Sequence, residues 1–238
     1  PLPQGHPFPI FKYPKSVELL GGAARPGEVA LRQVAPAAWE DLERVHSREY
    51  LDAVAFDRLS RFDRNRLGLP HHPRFVERSR LDVAGTIAAA DAALEEGMAW
   101  NLGGGTHHAM RDTGLGFCVT NDVAVAVARL VGSHPRLRIL VLDTDAHQGN
   151  GNHAILREFP DVFTYSIHVG ANYPAAKEAG DLDVALPRYV GGPAYLAALR
   201  ESLDDAARRF DPDLVFWISG VDVHESDRFG QMRLSDED

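Results

Sequence analysis

The sequence has little cysteine and little lysine. Cys118 is the one thiol in 238 residues, which excludes an internal disulfide framework and any zinc site built from several thiolates. Lysine occurs only at Lys12, Lys15 and Lys177, so the basic residues are nearly all arginine. With the abundant alanine and glycine, this fits GC-rich coding and a bacterial source. No apolar run approaches the roughly 20 residues that a membrane-spanning helix needs, so no membrane partner is expected. No signal-peptide pattern opens the chain, and a reducing cytoplasm is the expected setting. Basic residues are outnumbered 25 to 34, for a formal charge of −9. A general nucleic-acid binder would want the opposite balance. Internal repeats and low-complexity linkers are also absent, and a single domain spanning 1–238 is expected.

What is present is the mixture of an ordinary globular protein, 45% hydrophobic and 25% charged. Pro1 to Pro14 reads as an irregular arm. A helix is expected from Pro36 to Val45, a second one capped by Ser47, and a long one from Phe75 to Glu96 that stops at Gly97. Beyond this point short apolar runs alternate with helical patterns. Strands are expected at Met98–Leu102, Arg138–Leu142, Val162–Ile167 and Leu214–Ile218, with helices at Asn121–Leu130 and Pro193–Phe210. Continuous apolar strands separated by helices predict an α/β fold, a mainly parallel sheet with helices on both faces.

Ligands bind such sheets beyond the carboxyl ends of the strands. Three expected strands deliver polar residues there. They are Gly103-Gly104-Gly105-Thr106-His107-His108, Asp143-Thr144-Asp145-Ala146-His147, and Ser219-Gly220-Val221-Asp222. Alternate residues of an extended segment share a face, so Asp143, Asp145 and His147 can point the same way. Carboxylates brought together in a buried place need a cation or several donors. A divalent ion held by Asp145, His147 and Asp222 meets that need, and two carboxylates with one imidazole suit Zn²⁺ or Fe²⁺. The plainer alternative is a salt-bridged aspartate cluster in a loop. His107 and His108, beside such an ion, have the chemistry of an electrostatic partner and a general base. Asn121 and Asp122 read as an ordinary helix start, Cys118 as a small buried apolar residue, and Arg58, Arg61, Arg64 and Arg66 as a solvated basic stretch that could meet an acidic substrate.

The runs Gly103–Ala109, Gly116–Asp122, Asp143–Gly151 and Gly220–Asp227 resemble, in order and spacing, the histone deacetylase family of the arginase/deacetylase fold. Gly5–Pro9, Val45–Leu51, Asn172–Pro174 and Gly180–Asp183 fit as well. Gln148 and Asn150 are similar to the class IV branch and its bacterial relatives. The resemblance implies zinc on Asp145, His147 and Asp222, with His107 held by Asp143 and His108 serving as base and then acid. It further implies a structural potassium ion near Asp143 and Ser166, and a tunnel lined by Phe117, Tyr173 and the Gly116 backbone that admits an acylated lysine or polyamine. Asn150 stands where many members have an aspartate, so His108 is expected to be less basic. The family also has a Gly-Gly-Tyr segment whose hydroxyl serves the oxyanion; these 238 residues do not contain it. Together with a start at Pro1, this leads to the expectation of truncation at both ends.

The expected activity is therefore removal of an acyl group from a lysine or polyamine nitrogen. A non-hydrolytic acyl-lysine binding module is the alternative from another class, although such a module has no need of His108. A binuclear manganese ureohydrolase would need a carboxylate two residues after His147, where Gly149 stands.

Overall fold

The computed structural model describes residues 2–3, 5–25 and 28–238; Pro1 and Gln4, within the expected arm, lie outside the described residues. In chain order the elements are α1 (Lys12–Ala23), α2 (Trp39–Leu42), α3 (Arg48–Ala55), α4 (Arg61–Leu67), α5 (Pro73–Glu96), α6 (Asp122–Ser133), β1 (Ile139–Asp143), α7 (Asn150–Leu156), β2 (Val162–Val169), β3 (Leu182–Leu186), α8 (Gly192–Arg209) and β4 (Leu214–Ile218).

The helix starts follow local chemistry. The Ser47 hydroxyl accepts the Tyr50 amide at α3, and the Asn121 side chain accepts the Ala124 amide at α6. Proline occupies the first turn of α5 and α8, where its missing N–H costs nothing. α4 ends at Gly68, which takes the left-handed conformation at φ 73°.

The four strands form one parallel sheet in the order β3-β2-β1-β4. Ile139 and Val141 of β1 pack with α2, α3, α5 and α6 on one face, while Leu140 and Leu142 meet the α8 side on the other. β2, inside the sheet, is buried at every residue. Leu42 and Leu130, at 0% and 1% exposure, each contribute about 1.5–3 kcal/mol by leaving water. At the β4 edge Val215 and Trp217 remain 46% and 64% exposed.

The sheet has four strands, as many as expected, but not the same four: β3 takes the place of Met98–Leu102. Met98–Leu102 is not a strand; Met98 and Trp100 are 85% and 71% exposed. Among the described residues no neighbouring strand supplies hydrogen bonds to it. Asn101 works instead as a brace, donating to the Asp82 carbonyl and to Thr86 Oγ1, both at 2.8 Å, and accepting from the Gly103 amide at 3.0 Å. The expected helix from Pro36 shrinks to the four residues of α2, and the arm turns helical at Lys12. α4, α7 and β3 had no counterpart in the sequence reading.

The register fixes where chemistry can occur. Asp143, the last residue of β1, lies opposite Ser166 of β2 and Ile218 of β4. The loops after β1 and β4 therefore leave the sheet side by side at its carboxyl edge.

Candidate active site

Asp145 and His147 follow β1, and Asp222 follows β4. One ligating atom from each lies within 4.8 Å of the others. His147 Nδ1 is 2.7 Å from Asp222 Oδ2 and 3.1 Å from Asp145 Oδ1. The loop is tied down by its own backbone. The Asp145 amide donates to Asp143 Oδ1 at 3.0 Å, and the Ala146 amide to Asp222 Oδ1 at 2.9 Å. Electrostatics show a cluster that attracts positive charge. Burial lowers the pKa of His147, but hydrogen bonds to both carboxylates overcome it and push it up to about 10. Burial and the nearby Asp145 charge push Asp222 up to about 6. Two carboxylates and an imidazole gathered in this way fit a divalent ion.

His107 and His108 lie beside this cluster with ring centroids 4.1 Å apart, and their neighbours drive them to opposite states. His107 Nδ1 is 2.6 Å from Asp143 Oδ2. Burial works against its charge, yet Asp143 and Asp145 prevail and raise its pKa to about 9. His108 Nδ1 is 2.8 Å from Asn150 Oδ1. Burial and the adjoining His107 hold it well below the usual imidazole range. An amide oxygen only accepts, so His108 carries its proton on Nδ1 and leaves Nε2 bare. Paired titratable groups pushed apart in this way mark acid–base roles.

The loop that carries the pair is anchored from below. Asp122, wholly buried at the first turn of α6, accepts from the Gly105 amide at 3.1 Å, the Thr106 amide at 2.7 Å, Thr106 Oγ1 at 2.5 Å and Thr86 Oγ1. His46 fills a second socket. Its Nδ1 faces the Met110 carbonyl at 2.9 Å and its Nε2 accepts the Asn121 amide at 2.9 Å.

Tyr173 stands edge-on to His108, with centroids 5.0 Å apart. Gly116 is so close that an added Cβ would lie 2.6 Å from His108 Cδ2 and 2.9 Å from Tyr173 Cε1. Gly116 and Phe117 form a two-residue hairpin turn at φ 52° and 67°, closed by mutual hydrogen bonds of Leu115 and Cys118. The left-handed conformation costs Phe117 about 1–3 kcal/mol. Two carbonyls at the end of α4 hold it, Arg66 accepting the Gly116 amide at 3.2 Å and Leu67 the Phe117 amide at 2.8 Å. The Phe117 ring itself packs against His6 and Phe8. Cys118 is buried, and burial pushes its thiol up to about 12. The Ser166 hydroxyl, expected beside a potassium ion, bonds His168 Nδ1 at 3.0 Å.

The family model for the histone deacetylase domain matches residues 6–238. The chain belongs to the histone deacetylase family. It is 39% identical over 237 residues to an uncharacterised protein of Picosynechococcus sp., covering 99% of this chain and 78% of that one. Identity to the histone deacetylase-like amidohydrolase of Pseudomonas aeruginosa is 34% over 232 residues, 91% of this chain and 60% of that one. With the acetoin utilization protein AcuC of Bacillus subtilis it is 31% over 248 residues, 94% and 63%. The chain thus spans less than two thirds of the length of the last two. A crystal structure of an HDAC homolog complexed with SAHA superposes with a TM-score of 0.81 at 22% identity, over 98% of this chain and 68% of that one. This likeness is one of fold, the arginase/deacetylase architecture.

Of the residues named for the site, His107, His108, Gly116, Asp143, Asp145, His147, Asn150, Tyr173 and Asp222 lie together, whereas Phe117 packs against His6 and Phe8 and Ser166 bonds His168. Sequence reasoning gave Asp122 only a helix-start role and gave His46 none. No local signal announced Asp122, which lies 17 positions along the chain from Gly105, whose amide it accepts.

Proposed function

We propose that the chain is the core of a zinc-dependent amidohydrolase that removes an acyl group from a lysine or polyamine nitrogen. The observation that supports it most is the divided His107–His108 pair beside a cation-attracting triad. Asp145, His147 and Asp222 would hold the ion, which when bound would polarise the acyl carbonyl and lower the pKa of water toward about 7.

The chain's own residues supply the rest. His108 Nε2, bare because Asn150 fixes the proton on Nδ1, accepts a proton from the attacking water. His107, kept charged by Asp143, places positive charge beside the carbonyl oxygen as that oxygen turns anionic. His108 then returns the proton to the departing nitrogen, the C–N bond breaks, and a free amine and a carboxylate leave. Gly116 and Tyr173 wall the approach to His108. General acid–base help of this kind is worth about 10²–10⁴-fold.

The test is metal content together with release of carboxylate from acetyl-lysine and longer acyl-lysine peptides by the full-length protein. One zinc per chain and turnover that His108→Gln reduces at least 100-fold are expected. Tight acyl-peptide binding without turnover at any acyl length would favour a non-hydrolytic binding module instead.

A further inference from the structure

We propose that the exposed face of α4 is a cationic rim of the active site that selects acyl-lysines flanked by carboxylates and disfavours acylated polyamines. This rests on the amidohydrolase reading above and names its substrate class.

The four arginines of this stretch divide into two kinds. Arg58 and Arg64 serve local structure. Arg58 lies 4.0 Å from Asp52 and stacks on Phe56. Arg64 pairs with Asp57 at 2.6 Å and donates to the Leu59 and Asp57 carbonyls. Arg61 and Arg66 have no ion pair; among the described residues no carboxylate lies within ion-pairing distance of either, the nearby Asp63 carboxylate being bonded to Ser60. They share an exposed face of α4 with Asn65 and with Phe62, which is 67% exposed. The Arg66 guanidinium lies over the Phe62 ring, 5.4 Å from its centroid, which presents the charge outward at little entropic cost.

This face adjoins the reacting groups. The Arg66 carbonyl accepts the Gly116 amide, and Gly116 touches both His108 and Tyr173. Burial raises the pKa of the Tyr173 phenol, and the Arg66 charge pulls it back. The guanidinium is therefore within Coulomb range of the Tyr173 phenol, whose ring stands edge-on to His108. A chain with net charge −9 thus has unpaired positive charge next to the entrance of its site. A substrate that reaches His108 past Gly116 and Tyr173 comes near it. An acylated polyamine keeps further ammonium groups near the scissile amide and meets repulsion. An acyl-lysine with glutamate or aspartate neighbours meets attraction, and complementary charge also speeds encounter.

The experiment compares kcat/KM of the full-length zinc enzyme for three substrates of equal acyl group. They are an acetyl-lysine peptide with glutamate flanks, the same peptide with lysine flanks, and N-acetylspermidine. Attraction for one flank and an equal repulsion for the other, each about 0.2–1 kcal/mol at an exposed site, should make the glutamate-flanked peptide exceed the lysine-flanked one by about two- to thirtyfold. Salt should shrink this ratio toward one as the Debye length falls from about 10 Å at 0.1 M to 3 Å at 1 M. Arg66→Glu should invert the ratio and Arg66→Gln should bring it near one, while Arg58→Gln should leave it as it is. Turnover with a flank ratio near one in the wild type, or a ratio that Arg66→Glu does not move, overturns the rim and leaves the amidohydrolase reading intact. No turnover of any of the three overturns both.

Discussion

Replacing Asp122 by asparagine tests whether the catalytic loop is held by a buried carboxylate. Asp122 accepts four hydrogen bonds, from the Gly105 and Thr106 amides and from the Thr86 and Thr106 hydroxyls. Asparagine offers one acceptor oxygen for four donors, and its NH₂ group points two more donors at them. If two bonds are kept and two lost, at about 1.5–3 kcal/mol for a bond to a charged group, the cost is about 3–6 kcal/mol. Removing the negative charge from the first turn of α6 adds about 0.3–1 kcal/mol. Against a total stability of about 5–15 kcal/mol this is severe. With an m-value of about 3 kcal/mol/M, urea unfolding should shift its midpoint down by 1 M or more. Residual activity of the folded fraction should show a lower kcat, because the loop that slackens carries His107 and His108. Thr86→Val, which removes one donor to Asp122 and the acceptor of one Asn101 bond, gives a graded control with a loss of about 2–4 kcal/mol. A midpoint for Asp122→Asn within about 0.2 M of the wild type would refute the reasoning, since it would mean that the four bonds carry almost no net energy.

Three further outcomes are expected. Gly116→Ala adds a methyl 2.6 Å from His108 Cδ2 at a positive φ, so kcat/KM on an acetyl-lysine peptide should fall about 100-fold while zinc content, read by atomic emission, stays at one per chain. Zinc at about 100 times its Kd should raise the wild-type unfolding free energy by about 2.7 kcal/mol, and Asp222→Asn should abolish that increment along with the bound metal. Burial lowers the pKa of His46 to about 4, so its neutral form supports stability above pH 6.5, and this support is lost as pH falls from 6.5 to 4. The gap between wild type and His46→Gln in urea unfolding should therefore be widest at pH 7 and shrink by on the order of 3 kcal/mol toward pH 4; a gap independent of pH would show that His46 does not titrate in this window.

The buried strands were legible because continuous runs such as Ile139–Leu142 and Val162–Ile167 admit few other readings. Their loops were legible because Asp145, His147 and Asp222 are costly to bury without a purpose. Other features failed for physical reasons. Met98–Leu102 has a strand's composition, but composition does not supply a neighbour to bond with. β3 alternates Leu182, Val184 and Leu186 with Asp183 and Ala185, and a nearby glycine and a proline disguised that alternation as a loop. α4 is almost wholly polar apart from Phe62 and Leu67, and what holds it is tertiary: its terminal carbonyls receive the Gly116 and Phe117 amides. Such a contact joins residues about 50 positions apart, and no local pattern announces it.

The two histidines show the limit most clearly. Adjacent in sequence and alike in type, they end in opposite protonation states because one meets the carboxylate of Asp143 and the other the amide of Asn150. The dipeptide alone predicts neither state. His71-His72 has the same two residues and does something unrelated, His72 accepting the Arg74 amide at the start of α5. What separates the two dipeptides is the second partner of each ring, delivered by β1 and α7 in one case and by a helix terminus in the other. Exchanging the partners should exchange the chemistry. In Asn150→Asp the second ring gains an anion 2.8 Å away, and a favourable charge at such a distance shifts a buried group by about 1–3 pH units. The acid limb of the pH–rate profile should then move up by that amount. A limb that stays in place would mean that His108 does not carry the proton.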